Sequence, residues 1–182
     1  TLTKYGCNLT STAVSVTVNP APVCNISGPM PVCANTNGHQ YSAPAGMSNY
    51  LRSISGNGTV PGALNAQAVT VNAGAPGIFT LTLTVTDANG CKATCTKEVV
   101  VQNRPTGVLS GSAVICPGGS ATLSIAVTGT GPWNGTLNNG TQFNGINSPI
   151  QVVVNPPADI TYTLATLQDA TCSAQPGDLS GS

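Results

Sequence analysis

The chain has 182 residues, only 5% of them charged, and its formal net charge at pH 7 is zero. This balance excludes the basic surface that a nucleic-acid-binding protein needs, because phosphate contacts require clustered Lys and Arg. No apolar run approaches the ~18 residues of a transmembrane span, and no segment has the pattern of a signal peptide, so any export signal is expected outside this sequence.

Alternating apolar and polar residues predict β-strands along the whole chain, since successive side chains of a strand face opposite sides of a sheet. The clearest strand is 79–86, where apolar residues alternate with Thr, and Asn89-Gly90 after it is a favoured turn pair. In chain order, strands are predicted at 13–18, 39–42, 50–54, 68–71, 79–86, 91–101, 121–127, 150–154 and 162–164. Short strands separated by Gly, Pro and Asn predict an all-β fold of immunoglobulin-like sandwiches.

A cysteine-marked segment recurs at a nearly fixed interval. Ser27 to Cys33 is matched by Ser110 to Cys116, 83 residues later, and Cys7, Cys91 and Cys172 are separated by 84 and 81 residues. The sequence is therefore interpreted as a slice of a tandem array.

Three units follow from this interval. We expect the C-terminal strand or strands of a preceding repeat at 1–20 and a complete sandwich at 21–103. A second sandwich is expected at 104–182, truncated before its last strand. Proline-containing linkers, 19–22 and 103–105, limit the swivel between neighbours, so the array is predicted to be a semi-stiff rod.

Seven cysteines without a C-x-x-C pair, beside a single histidine, favour disulfides over zinc. They also indicate an oxidising compartment, at the cell surface or otherwise outside the cytoplasm. The predicted pairs are Cys116 with Cys172, Cys33 with Cys91, and Cys24 with Cys95, while Cys7 is paired upstream. Cys24–Cys91 together with Cys33–Cys95 stays open, because Cys91 and Cys95 are four residues apart on one strand and face the same side.

Several segments carry the marks of a known class of repeat. One group comprises Tyr41-Ser42-Ala43-Pro44 and the run from Phe79 to Cys91; the other comprises the run from Ile115 to Leu123 and Gly131-Pro132-Trp133. The first group resembles the PKD-like repeats, and the second the Ig-like repeats, of very large secreted proteins of Bacteroidota. The resemblance implies a gliding-motility adhesin or similar surface filament, exported by type IX secretion and attached to the outer membrane. It also implies neighbouring repeats, surface glycans or the export and anchoring machinery as partners.

One position departs from that pattern. In the strand after Tyr41-Ser42-Ala43-Pro44, where such repeats commonly carry Trp, this chain has Arg52. Arg52 is therefore a candidate surface contact with another chain, and Arg52→Ala would weaken an assembly built on it. Thr-rich edge strands would also permit lateral self-association.

The chain is predicted not to be an enzyme, and neither a cofactor nor a metal is expected. The acids are scattered, so no two form the pair that acid–base chemistry needs. His39 is interpreted as an ordinary strand residue. Asp87 and Asp169 occupy equivalent turns, where a carboxylate caps backbone N–H groups; calcium would need about six oxygens close together.

The favoured function is a structural and adhesive one, in which repeats of a long surface filament space or multiply weak contacts. A first alternative is a glycan-binding module, with Trp133, Phe143 and the Asn/Gly-rich loops of 129–147 as its site. Trp133 has the competing interpretation of a core residue. A second alternative is a non-catalytic appendage of a secreted hydrolase.

Overall fold

The computed structural model describes residues 2–4, 7–9, 12–116 and 118–182. Strands dominate this part of the chain, with one short 3-10 helix at Pro176–Asp178. The strands are β1 (Leu2–Lys4), β2 (Cys7–Leu9), β3 (Val32–Cys33), β4 (His39–Ser42), β5 (Asn49–Gly56), β6 (Gly58–Thr59), β7 (Ala68–Ala73), β8 (Gly77–Thr86), β9 (Lys92–Gln102), β10 (Gly107–Ser110), β11 (Ala121–Val127), β12 (Trp133–Leu137), β13 (Gln142–Gly145), β14 (Ile150–Val154), β15 (Leu164–Gln168) and β16 (Leu179–Ser180).

The strands form two sandwiches, each made of a four-stranded and a three-stranded sheet. In the first sandwich, the sheet β3-β9-β8-β5 packs against the sheet β4-β7-β6. In the second, β14-β11-β10-β16 packs against β13-β12-β15. β1 and β2 form a separate hairpin. The predicted all-β fold of tandem immunoglobulin-like sandwiches with disulfides is confirmed.

The core of the first sandwich is built on β8. Phe79, Leu81, Leu83 and Val85 are completely buried, while the Thr residues between them lie on the partly exposed face. Tyr41 of the opposite sheet meets Phe79 edge to face, with ring centroids 6.0 Å apart. The Tyr41 hydroxyl donates to the Pro29 carbonyl at 2.9 Å, and burial raises the Tyr41 pKa to about 12. The apolar residues of the period-two pattern thus form the contact between the two sheets.

The core of the second sandwich includes two strands that the sequence does not suggest. β12 and β13 lie within 129–147, which is rich in Asn and Gly and was expected to be loops. Gly135 on β12 faces Phe143 and the Thr166 carbonyl so closely that a Cβ there would lie 2.6 Å from the Phe143 ring. Glycine is therefore required here for packing within a sheet, a role that the sequence alone does not distinguish from a turn.

Two predicted strands are placed differently by the structure. Residues 13–18 form no strand, and Val14, Val16 and Val18 are largely exposed. The strand expected at 162–164 begins at Leu164 and continues to Gln168. Alternation determines which side chains share a face, but a strand also needs a hydrogen-bonding neighbour. Among the described residues, 13–18 have none.

One disulfide lies within the first sandwich. Cys24 is bonded to Cys95 on β9, with Cα atoms 5.7 Å apart. It ties the segment that precedes β3 to the long central hairpin of β8 and β9. The second disulfide joins the two sandwiches and is described below.

Replacing both Cys24 and Cys95 by alanine is expected to destabilise the first sandwich by about 4 kcal/mol, because the bridge spans 71 residues and restricts the unfolded chain. Urea unfolding measured by circular dichroism should show the loss. The fluorescence of Trp133, the single tryptophan, reports on the second sandwich, and its urea midpoint should stay unchanged. Cys91→Ala, which removes a free thiol, is the control and should unfold like the original chain. An equal loss in the control would contradict the prediction.

Candidate functional site: the junction between the sandwiches

The two sandwiches are connected by more than the peptide linker between them. A disulfide and the hydrogen bonds of one arginine cross from one sandwich to the other. We call this set of residues the junction: Cys33, Ala34, Arg104, Cys172 and Asp178. Each sandwich has two ends. The leading end is the one at which the preceding segment of the chain enters the sandwich. The trailing end is the one at which the following linker leaves it.

The disulfide joins Cys33 to Cys172, 139 residues apart in sequence. Parallel pairing of β3 with β9 places Cys33 beside Gln102, the last residue of β9, at the trailing end of the first sandwich. Cys172 follows β15, in a turn at the leading end of the second sandwich. The two Cα atoms are 5.8 Å apart, within the range that a disulfide spans.

Two predicted pairings are therefore wrong. Cys33 is bonded to Cys172 rather than to Cys91, Cys172 is not bonded to Cys116, and Cys91 and Cys116 are free. The reason is distance: Cys33 lies at one end of β9 and Cys91 at the other, and the 11 residues of β9 span about 35 Å. The alternative Cys33–Cys95 is wrong as well, because Cys95 is bonded to Cys24. The side chain of Cys7 lies outside the described residues, so its upstream pairing stays a prediction.

Arg104 lies in the linker and binds both sandwiches. Its Nε donates to Asp178 Oδ2 at 2.7 Å, and its Nη2 donates to Asp178 Oδ1 at 3.1 Å. Its Nη1 donates to the carbonyl of Ala34, next to Cys33. The hydrogen bonds raise the pKa of Arg104 and lower that of Asp178. Because the planar guanidinium holds both carboxylate oxygens, it fixes orientation as well as charge.

A buried carboxylate shapes the turn that carries Cys172. Asp169 accepts hydrogen bonds from the backbone N–H of Cys172 at 2.7 Å, Thr171 at 2.8 Å and Thr130 at 3.1 Å, and from the Thr171 hydroxyl at 3.2 Å. Burial acts to raise the Asp169 pKa, but these hydrogen bonds together hold it below its usual value. Asp87 likewise accepts from the N–H groups of Asn89 and Cys91, both at 2.9 Å. Both acids cap turns, as the sequence predicted.

Asp169 is expected to make the second sandwich sensitive to acid. Its folded-state pKa lies below the ordinary value of 3.8, so the ionised carboxylate stabilises the fold fully above that value. This stability is lost as the pH falls through the folded-state pKa. Urea midpoints from Trp133 fluorescence between about pH 6 and about pH 2 would show the decline. The urea midpoint of Asp169→Asn should be lower than that of the original chain at about pH 6 and should fall less steeply towards about pH 2. Parallel curves of midpoint against pH for the two proteins would count against this role.

Arg52, a candidate surface contact, is buried in the first sandwich and only 3% exposed. Its guanidinium donates to the carbonyls of Ala66 and Gln67 and lies 6.0 Å from the centre of the Tyr50 ring. Burial lowers the Arg52 pKa. The prediction that Arg52 contacts another chain is therefore wrong. Arg52 thus satisfies the Ala66 carbonyl, and it shares the Gln67 carbonyl with the Ala43 N–H.

Arg52→Met is expected to lower the free energy of unfolding of the first sandwich by about 1–3 kcal/mol, because the Ala66 carbonyl loses its Arg52 donor and the Gln67 carbonyl keeps just the Ala43 N–H. Urea unfolding followed by circular dichroism measures the loss. The exposed Lys92→Met is the matched control and should change stability by about 0.5 kcal/mol or less. Unchanged stability of Arg52→Met would contradict the structural role.

The proposed glycan site is also not formed. Trp133 and Phe143 are 9% and 6% exposed and belong to the second core, so the interpretation of Trp133 as a surface contact is wrong and its interpretation as a core residue is confirmed. The Trp133 Nε1–H donates to the Thr128 carbonyl at 2.9 Å, which satisfies its polar group inside the protein. Sugar stacking needs an exposed ring face, which neither residue offers.

The other candidate residues are not brought together. His39 lies on β4 with Nε2 2.7 Å from the Thr36 hydroxyl, and burial lowers its pKa. In the part of the chain that the structure describes, no three His, Cys, Asp or Glu side chains form a metal-binding group. No helix among the described residues is long and apolar enough to span a membrane.

No family model and no curated protein matches the chain. Among solved structures, it is similar to the fibronectin(III)-like modules of Clostridium thermocellum CbhA at 12% sequence identity. The TM-score is 0.46, with 87% of this chain and 92% of that one covered. The description of the fold as two sandwiches follows from the strand pairing of this chain, and the resemblance to PKD-like repeats stays a prediction.

Proposed function

We propose that this chain is a tension-transmitting structural segment of a long, repeat-built extracellular protein, of the surface-filament and adhesin kind. The observation that carries the proposal is the Cys33–Cys172 bond, which joins two separately cored sandwiches. A bond within one core would serve stability. A bond between two cores fixes how neighbouring units are connected.

The junction disulfide also changes the path along which force travels. Tension applied at the two ends of the chain would run from the N terminus to Cys33, cross to Cys172, and continue to Ser182. The segment between the bonded cysteines, which are 139 positions apart, carries none of it. Nearly all of both cores is thereby protected from forced extension, because the covalent bond has to break before those residues can unravel.

The contacts of the linker also hold the two sandwiches in a fixed arrangement. Arg104 holds Asp178 of the second sandwich and Ala34 of the first, which limits rotation about the linker. Two disulfides fit an oxidising, extracellular compartment. A chain with 5% charge and no built ligand site among its described residues fits a spacing element better than a recognition module. Adhesion at a distant tip, gliding motility, type IX export and lateral association remain parts of the proposal that rest on the sequence resemblance.

Pulling single molecules by their ends tests this function. With the junction disulfide intact, the chain is expected to extend to at most about 160 Å, whereas a fully reduced chain would reach about 650 Å. Replacing both Cys33 and Cys172 by serine leaves only Cys24–Cys95, so that extension should stop near about 400 Å.

The matched control removes the other bridge. A chain with Cys24 and Cys95 both replaced by serine keeps the junction bond and should still stop at about 160 Å. Extension of the original chain to about 400 Å would overturn the proposal, because the cores would then lie on the path of force.

The appendage of a secreted hydrolase is the remaining alternative. It predicts a catalytic domain in the same polypeptide, whereas the filament predicts many repeats. The intact mass and sequence of the parent molecule separate the two.

A further inference from the structure

Two cysteines among the described residues are free, and they lie at opposite ends of the two-sandwich unit. Cys91 lies at the leading end of the first sandwich, where its sulfur is 3.8 Å from the carbonyl oxygen of Asn19. Cys116 lies at the trailing end of the second, exposed, and lines the same cleft as Ser182. Free thiols in a disulfide-containing extracellular protein indicate bonding to a further partner.

Cys91 is held in the same way as Cys172 of the junction. In each turn an aspartate accepts from the cysteine N–H, at 2.9 Å for Asp87 and Cys91 and at 2.7 Å for Asp169 and Cys172. In each turn the aspartate N–H also donates to the cysteine carbonyl, at 3.0 Å and 2.9 Å respectively. The leading end of the first sandwich therefore presents a cysteine on the same kind of turn as the leading end of the second.

Cys116 corresponds in the same way to Cys33. The two residues are 83 positions apart, and each carbonyl accepts a hydrogen bond from the residue three positions later, which is the Thr36 hydroxyl for Cys33 and the Gly119 N–H for Cys116. Two positions after each cysteine the backbone is left-handed, with φ of 54° at Asn35 and 83° at Gly118. Both trailing ends thus place their cysteine at the start of a similar turn.

We infer that Cys91 and Cys116 are the two halves of a repeated junction, each forming a disulfide with a further sandwich of this same class docked end to end. The thiol of Cys116 bonds to the Cys91-type thiol of the following unit, as Cys33 bonds to Cys172 here. In the reaction the two thiols together lose two electrons and two protons to a small-molecule disulfide, which is reduced to two thiols. The inference deepens the proposed function and rests on it, since both need sandwiches in series.

The chain itself supplies both halves and serves as the probe. In every protein Cys7 is replaced by serine, so that Cys91 and Cys116 are the free thiols. The Cys91→Ser and Cys116→Ser variants are incubated with oxidised glutathione, separately and mixed, and the dimers are mapped by non-reducing peptide analysis. The mixture is expected to dimerise about tenfold faster than either variant alone, because docking raises the effective concentration of the matching sulfurs.

Asp87→Ala tests the geometry without removing a thiol. It frees the N–H groups that hold the Cys91 turn and should reduce the preference for Cys91–Cys116 bonds to the level of random pairing. The control, Glu98→Ala, removes one exposed acid on β9 and should keep the preference.

Equal rates for the mixture and the separate variants would overturn the inference, as would comparable amounts of Cys91–Cys91, Cys116–Cys116 and Cys91–Cys116 bonds. Absence of dimers would overturn it as well. The pulling experiment depends on the existing Cys33–Cys172 bond alone, so failure of the inference and failure of the proposed function are distinguishable.

Discussion

The bond between Cys33 and Cys172 is the constraint on which the rest of the structure depends. It requires that β3 run beside the last residues of β9, so that Cys33 reaches the trailing end of the first sandwich. It also requires the turn that Asp169 holds together at the leading end of the second. Arg104 then completes the junction by bonding the segment next to Cys33 to Asp178. Each sandwich thus devotes one end to its neighbour.

Much of the fold was predictable because period-two alternation is a local signal. The strand at 79–86 has it clearly, and the structure buries its apolar face completely. The repeat interval of 83 residues carried the expected Cys116–Cys172 pair over to Cys33–Cys91, and both predicted disulfides are wrong. Equivalence relates Cys33 to Cys116 but says nothing about which end of a sandwich each occupies. That information comes from the direction of β3 along β9, which is a long-range property.

The predicted surface positions of Arg52 and Trp133 were wrong for a different reason. Arg52 is charged, and its residue type favoured the surface. Trp133 lies among Gly and Asn, which suggested a sugar-stacking surface beside its interpretation as a core residue. Burial depends instead on partners outside the local strand: the carbonyls of Ala66 and Gln67, 14 and 15 residues away, for Arg52, and the strands that complete the second core for Trp133. The capping roles of Asp87 and Asp169 were predictable, because the N–H groups of Cys91 and Cys172 lie within four residues of them; the Thr130 N–H, 39 residues from Asp169, was not.

The covalent ring closed by the Cys33–Cys172 bond also affects how the protein responds to proteases. The linker containing Arg104 and every loop between Cys33 and Cys172 belong to one ring. A single proteolytic cut anywhere in that ring leaves two fragments that the disulfide still joins, so the cleaved chain remains one covalent molecule. Exposed Gly- and Asn-rich turns are ordinary targets for proteases. The ring allows this protein to carry many of them and still keep its covalent continuity.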